Sequence, residues 1–180
     1  DMIIDGGSVE IGLESSILDV TVEPPMILRP GAITKEMFEE VIGEVTIDQA
    51  ILSDTGEAPK APGMKYRHYA PQAEMTLVEG EMERVIEFIN REAKLAQEAG
   101  LKVGIICTEE SCGSYDCGIL KVIGSREHEE SVAHNLFAVL REFDDQNVDC
   151  IFSESFSKDR LGQAIMNRLC KAAGYHITRV

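Results

Sequence analysis

Tryptophan is absent from this sequence, and aromatics of all kinds make up 6% of its 180 residues, against 44% hydrophobic overall. Any core must then be aliphatic, built from Ile, Leu, Val and Met. That suits a parallel sheet buried by helices on both faces. Positive charge is also scarce: 17 Lys and Arg stand against 32 Asp and Glu, a formal net charge of −15. Nucleic-acid backbones are held by clustered cations, so this balance argues against a broad nucleic-acid surface. Long apolar runs are missing too, and none approaches the ~18 residues that a membrane span requires. The chain opens Asp1-Met2-Ile3 with no signal-like segment and no methionine at position 1, from which we expect the natural N-terminus to lie upstream.

Cysteine is present in an odd number, five. Cys107, Cys150 and Cys170 fall in apolar segments and read as small buried hydrophobes. Cys112 and Cys117 sit in a Gly/Ser loop with no second pair to complete a zinc site. Reduced thiols without an export signal point to the cytoplasm.

Against so acidic a background, two acid-poor basic stretches stand out. One runs from Pro59 to Pro71 with Lys60, Lys65 and Arg67; the other runs from Arg160 to Val180 with Arg160, Arg168, Lys171 and Arg179. The first divides the chain. Residues 1–52 read as a short β-rich piece: Val9, Ile11 and Leu13 alternate as in a half-buried strand, Ile17–Val20 resumes it, and Met26–Arg29 is another strand before the Pro30-Gly31 turn. Thr34 is a candidate N-cap for a helix with Phe38, Val41 and Ile42 on one face, closed by Gly43. With few apolar residues and no evident sheet partner, this piece reads as the tail of something larger. Residues 53–72 carry prolines and glycines without helical or strand period, and form a linker.

From residue 73 the rhythm is β-α-β-β-α-β-α-β. The strands are Met75–Val78, Val103–Cys107, Leu120–Ile123, Cys150–Phe152 and Ile177–Val180. Between them lie helices at about 81–99, with a stripe of Val85, Phe88, Ile89, Leu95 and Ala96; at about 126–145, with Val132, Leu136, Val139, Leu140 and Phe143; and at about 160–173. Alternating strands and amphipathic helices imply an α/β, Rossmann-like, mainly parallel sheet over 73–180.

That domain shows little catalytic equipment. It has no Gly-x-Gly-x-x-Gly, its acids read as scattered along solvent faces, and the Gly113–Gly118 loop is a weak ligand-loop candidate. His128, His134 and His176 stand alone. The first 72 residues are richer. Arg29 precedes Pro-Gly at a strand end, where its planar fork could grip a phosphate or close a structural salt bridge. Ser15 stands where the alternation breaks, placed either to donate to a carboxylate or to close a turn. Lys65, Tyr66, Arg67, His68 and Tyr69 stand in a row. Two cations, an imidazole and two phenols without an acid suit polyphosphate and a stacked purine, or docking on an acidic neighbour.

At these residues the chain resembles the end of the YrdC-like catalytic domain, the linker and the accessory domain of two-domain threonylcarbamoyl-AMP synthases. The resemblance is carried by Asp5-Gly6-Gly7, Gly12-Leu13-Glu14-Ser15-Ser16, Leu28-Arg29-Pro30-Gly31-Ala32-Ile33 and, above all, Ala61-Pro62-Gly63-Met64-Lys65-Tyr66-Arg67-His68-Tyr69-Ala70-Pro71. Leu136-Phe137, Leu140–Asp144 and Gly162–Leu169 extend it through the accessory domain. Ser16 and Ala61 depart mildly from the family's usual Thr and Ser.

The resemblance implies a remnant of a YrdC-like catalytic domain over 1–52, an interdomain linker over 53–72 and an accessory domain over 73–180. It implies an adenylyl transfer from ATP, with Mg²⁺ expected, joining L-threonine and bicarbonate into threonylcarbamoyl-AMP with release of pyrophosphate. The product feeds tRNA modification. By position, Ser15 matches a threonine contact and Arg29 a phosphate contact. Tyr66 or Tyr69 matches an ATP contact, and Lys65, Arg67 and His68 line the same cavity. The family's Lys-x-Arg clamp and Ser-x-Asn motif belong to the front of its catalytic domain, outside the end that residues 1–52 resemble, so the chain alone is expected to be inactive. Direct tRNA binding is disfavoured by the charge, although the basic C-terminal helix leaves it open. The competing reading, from a different class, is a non-catalytic module that senses a nucleotide or docks a partner.

Overall fold

The computed structural model describes residues 2, 4, 6, 7, 9–48, 51 and 70–180. The expected rhythm from residue 73 is found, element for element. Strand β4 (Glu74–Glu79), helix α2 (Met82–Glu98), strands β5 (Val103–Cys107) and β6 (Ile119–Val122), helix α3 (Glu129–Asp145), strand β7 (Cys150–Glu154), helix α4 (Arg160–Ala172) and strand β8 (Ile177–Arg179) follow in order. Before them come β1 (Ile17–Asp19), β2 (Met26–Arg29), helix α1 (Lys35–Ile42) and β3 (Thr46–Ile47).

The five later strands form one sheet in the order β6-β5-β7-β4-β8, and every neighbouring pair is parallel. Parallel strands need crossovers, and the helices supply them. On one face α2 buries Val85, Ile89 and Ala93 against Val78, Val103, Ile105 and Cys107. On the other, α3 and α4 bury Leu136, Phe143, Ile165 and Leu169 against Met75, Leu77, Ile106 and Ile151. The stripe expected on α3 is buried in full: Val132, Leu136, Val139, Leu140 and Phe143. On α2 the expected Leu95 is 53% exposed and Ala93 takes the inner position. Gly104 lies in β5 because nothing larger fits: a Cβ there would stand 2.6 Å from the Phe143 ring of α3. This glycine serves packing, not phosphate.

The earlier piece differs from expectation in three ways. Residues 9–13 form no strand, and Val9 and Ile11 are exposed. Their alternation reflects an irregular segment crossing α3, described below. The piece also has a sheet partner that the sequence hid: the two-residue β3 pairs parallel with β2, which pairs antiparallel with β1. Finally, α1 forms with Thr34 as N-cap and Gly43 as C-cap, yet Val41 is 84% exposed and no residue of the helix is buried. Its start and stop signals are local chemistry and hold without a partner. Its apolar stripe is only partly covered among the described residues: Phe38 is half-buried, and Val41 and Ile42 are exposed.

Candidate functional site

Arg29 closes β2, and the register places it opposite Ile17 of β1, at the irregularity between Ile17 and Leu18. Ser15 lies just before β1, so the two predicted residues meet. Arg29 Nε donates to the Ser15 carbonyl at 2.8 Å and Nη2 donates to Ser15 Oγ at 2.9 Å. Among the described residues Arg29 pairs with no carboxylate. The structural salt bridge weighed above is therefore not what is found. A guanidinium held by a carbonyl and a hydroxyl keeps its full charge for an incoming anion.

The turn after Arg29 is pressed onto the same segment. Ser16 Oγ donates to the Ile33 carbonyl at 2.7 Å. A Cβ on buried Gly31 would lie 2.4 Å from the Glu14 carbonyl oxygen and 2.6 Å from the Ser16 nitrogen. Glycine is required there by close backbone approach.

Behind Ser15 stands a set of residues that sequence reasoning did not assign. Glu14 forms an ion pair with Arg168 of α4, and the Arg168 guanidinium lies over the Phe137 ring of α3 at 4.7 Å. Lys171, one turn along α4, is buried with it. Burial pushes the Lys171 ammonium down to about 8, and the charges of Arg168 and Arg29 push the same way. Residues 10–14 thus lie across α3 and α4. His134 Nδ1 sits 3.0 Å from the Glu10 carbonyl oxygen, and Gly12 passes so close that a Cβ would stand 2.6 Å from the His134 carbonyl oxygen. The available signal was a pair of cations at i and i+3 on the same side of α4 as Ile165, Leu169 and Ala172. The basic C-terminal helix is accordingly no cationic surface: Arg168 and Lys171 face inward.

Lys65, Tyr66, Arg67, His68 and Tyr69 lie outside the described residues. Just after them, Pro71 is buried and the Gln72 amide donates to Asp144 Oδ1 at 2.7 Å. A hollow of about 210 Å³ at this point is lined by Ala70, Phe137, Leu140, Arg141 and Asp144.

The carboxyl edge of the parallel sheet, where open α/β sheets usually take ligands, is filled by the protein itself. Glu154, at the end of β7, is fully buried, against the expectation that the acids lie on solvent faces. It accepts from Ser111 Oγ, from Tyr115 OH at 2.8 Å and from Arg126 Nη2 at 2.5 Å. Arg126 also lies over Phe156 at 4.9 Å and donates to the Ser155 carbonyl at 2.9 Å. Beside it the Ser125 hydroxyl holds the Glu110 carboxyl down to about 2. The Gly113–Gly118 loop is no open cradle: Asn90 of α2 ties it at Ser114 and Asp116, and Tyr115 is buried. Among the described residues no group of three or more His, Cys, Asp or Glu could hold a metal ion.

Cys107 lies under this edge, and all five cysteines are free thiols. Burial, reinforced by the charge of Glu154, raises the Cys107 thiol from its ordinary 9.0 to about 12. A raised pKa contributes stability that is complete below the unfolded value and is lost as pH climbs through the folded one. Between roughly pH 9 and 11 the unfolding free energy should therefore fall, and Cys107→Ala should flatten that fall by up to ~1.4 kcal/mol per pH unit. Urea titrations of both proteins across this range check it, and parallel slopes would refute it.

Comparisons with known proteins follow this geometry. A family model described as "Threonylcarbamoyl-AMP synthase, C-terminal domain" matches residues 33–174. A threonylcarbamoyl-AMP synthase of Bacillus subtilis is 46% identical over 177 residues, covering 98% of this chain and 50% of the relative. One from Pyrococcus abyssi is 44% identical over 180 residues, covering 100% of this chain and 51% of the relative. The crystal structure of Pyrococcus abyssi Sua5 complexed with L-threonine matches with a TM-score of 0.86 at 42% identity, covering 98% of this chain and 50% of that one. The chain spans about half the length of the curated relatives it matches.

Proposed function

We infer the role of this chain from one premise: it belongs to the threonylcarbamoyl-AMP synthase family. We propose that it forms the later half of such an enzyme, a nucleotidyltransferase that joins L-threonine, bicarbonate and ATP into threonylcarbamoyl-AMP and pyrophosphate for tRNA modification. Residues 1–52 are the end of the catalytic domain, 53–72 the interdomain linker and 73–180 the accessory domain. Ser15 contacts threonine and Arg29 contacts the nucleotide phosphates. Lys65, Arg67 and His68, with Tyr66 or Tyr69, close over the nucleotide.

The observation that carries this reading is the meeting of Arg29 and Ser15 through two hydrogen bonds, with no carboxylate on Arg29 among the described residues. Attack of a threonine carbamate on the α-phosphate builds negative charge, and a fixed cation beside the threonine contact stabilises it as it forms. This chain supplies one side of that site. By itself it should be inactive, because the family's Lys-x-Arg clamp belongs to the front of the catalytic domain, outside what residues 1–52 resemble. For Mg²⁺ the described residues do not fit a resident site. They hold no suitable ligand cluster, and Glu14, adjacent to Ser15, is committed to Arg168. We assign it no ligand in this chain.

The sensor reading is disfavoured by Glu154, Tyr115 and Ser111, which fill the carboxyl edge where a nucleotide would bind. The tRNA-binding reading is disfavoured by the inward-facing Arg168 and Lys171. No helix among the described residues is long and apolar enough to cross a membrane, and the five free thiols support a cytoplasmic location.

Pyrophosphate release by the full-length protein tests the proposal. With threonine, bicarbonate and ATP supplied, replacing Lys65 and Arg67 by alanine should lower the rate ~10²–10³-fold, the loss expected when preorganised cationic donors are removed. Calorimetric titration of ATP into residues 73–180, which carry their own two-sided core, should show no binding. Tight binding there, with turnover indifferent to the linker cations, would replace this reading with the sensor.

A further inference from the structure

Arg168 belongs to α4, on the accessory sheet, yet its carboxylate partner is the residue immediately before Ser15. Three contacts fix that partner's segment from below. Glu14 meets Arg168, Glu10 meets His134, and Gly12 rests on the carbonyl end of the His134 peptide. Two contacts fix it from above: the Arg29 guanidinium binds Ser15, and the Gly31 turn presses on Glu14 and Ser16. The segment that presents Ser15 is therefore clamped between β2 and the α3–α4 surface. Phe137, beneath the Arg168 guanidinium, also lines the hollow beside Ala70.

We propose that Arg168 is a positioning residue: through Glu14, the accessory domain sets the placement of Ser15, while Arg29 is placed by β2. This rests on the reading of Ser15 as the threonine contact and extends it to a residue on another domain. Arg168 touches no reactant. It acts by denying Glu14, and the backbone that follows it, the freedom to swing away from β2.

A cation buried only for stability and one that positions a substrate contact respond differently to substitution. Arg168→Met keeps bulk against Phe137 and removes the charge; Arg168→Lys keeps the charge and loses the planar fork. In the full-length protein, Arg168→Met should raise the KM for L-threonine about tenfold with kcat and the KM for ATP little changed, the pattern of lost ground-state binding. Arg168→Lys should recover part of that loss. Glu14→Gln should reproduce it, and Glu14→Gln combined with Arg168→Met should be no worse than either alone, because the two act as a unit. Unchanged threonine KM in Arg168→Met, or effects that multiply in the double variant, would overturn the proposal. Should the Arg168 variants fail to fold, Glu14→Gln decides alone: a threonine KM like wild type counts against it, and a raised one supports it. Ser15→Ala separates this inference from the reading beneath it. If Ser15→Ala leaves the threonine KM unchanged, the site assignment fails and the inference with it. If Ser15→Ala raises the KM while Glu14→Gln and Arg168→Met do not, only the positioning role fails.

Discussion

Arg29→Ala in the full-length protein should slow pyrophosphate release ~10²–10³-fold while thermal unfolding shifts little. The asymmetry follows from where Arg29 sits. Its hydrogen bonds go to the Ser15 carbonyl and hydroxyl at a solvent-facing edge, where water can replace them. Its charge is a different matter: among the described residues no carboxylate pairs with it, and on the proposed mechanism it meets the phosphate under attack. Arg29→Lys should recover only part of the rate, because an ammonium cannot hold Ser15 and grip a phosphate with one planar fork. A rate equal to wild type in Arg29→Ala would remove Arg29 from the chemistry.

The second large effect is on stability. Glu154→Ala should cost about 3–5 kcal/mol, the range for breaking a buried pair from one side. The side chain is buried, and its loss takes the acceptor from the Tyr115 hydroxyl and the charged partner from Arg126, while Ser111 keeps its hydrogen bonds to Thr108. Arg126 is 28% exposed, so solvent screens part of its share and most of the cost comes from the Tyr115 hydroxyl and the vacated volume. Glu154→Gln keeps shape and one acceptor and should cost less than half as much. Urea unfolding followed by circular dichroism should show a lower midpoint at unchanged slope. A midpoint near wild type in Glu154→Ala would mean that the cluster is dispensable.

The accessory sheet was legible because its signals are periodic. Val132, Leu136, Val139, Leu140 and Phe143 recur at helical spacing, and no tertiary contact alters what they say. The meeting of Ser15 and Arg29 was legible only through resemblance, since the pairing of β1 with β2 depends on a register that neither strand announces. Three things were hidden. β3 is too short to show a period. Glu154 reads as a polar strand end until the loop carrying Ser111 and Tyr115 folds over it. Arg168 and Lys171 read as a surface patch because charge suggests exposure, whereas here a carboxylate from 154 residues earlier (168 − 14) supplies the partner for Arg168. The apolar face of α1 was legible as a stripe, but a stripe alone does not say how far it is covered, and Val41 on it is exposed.

The strand order has a consequence for how this protein is made. β4 is the first strand of its sheet in sequence, yet its two neighbours are β7 and β8, so that Leu77 lies between Ser153 and Ile177. A chain emerging from the ribosome therefore carries β4 with both edges bare until β7 is made, and with one edge bare until β8, the last strand, follows. Such distant pairings are slow to form and leave strand edges open to aggregation in the interval. During that wait β4 can be sheltered first by α2, which follows it directly, and then by α3, which is complete before β7.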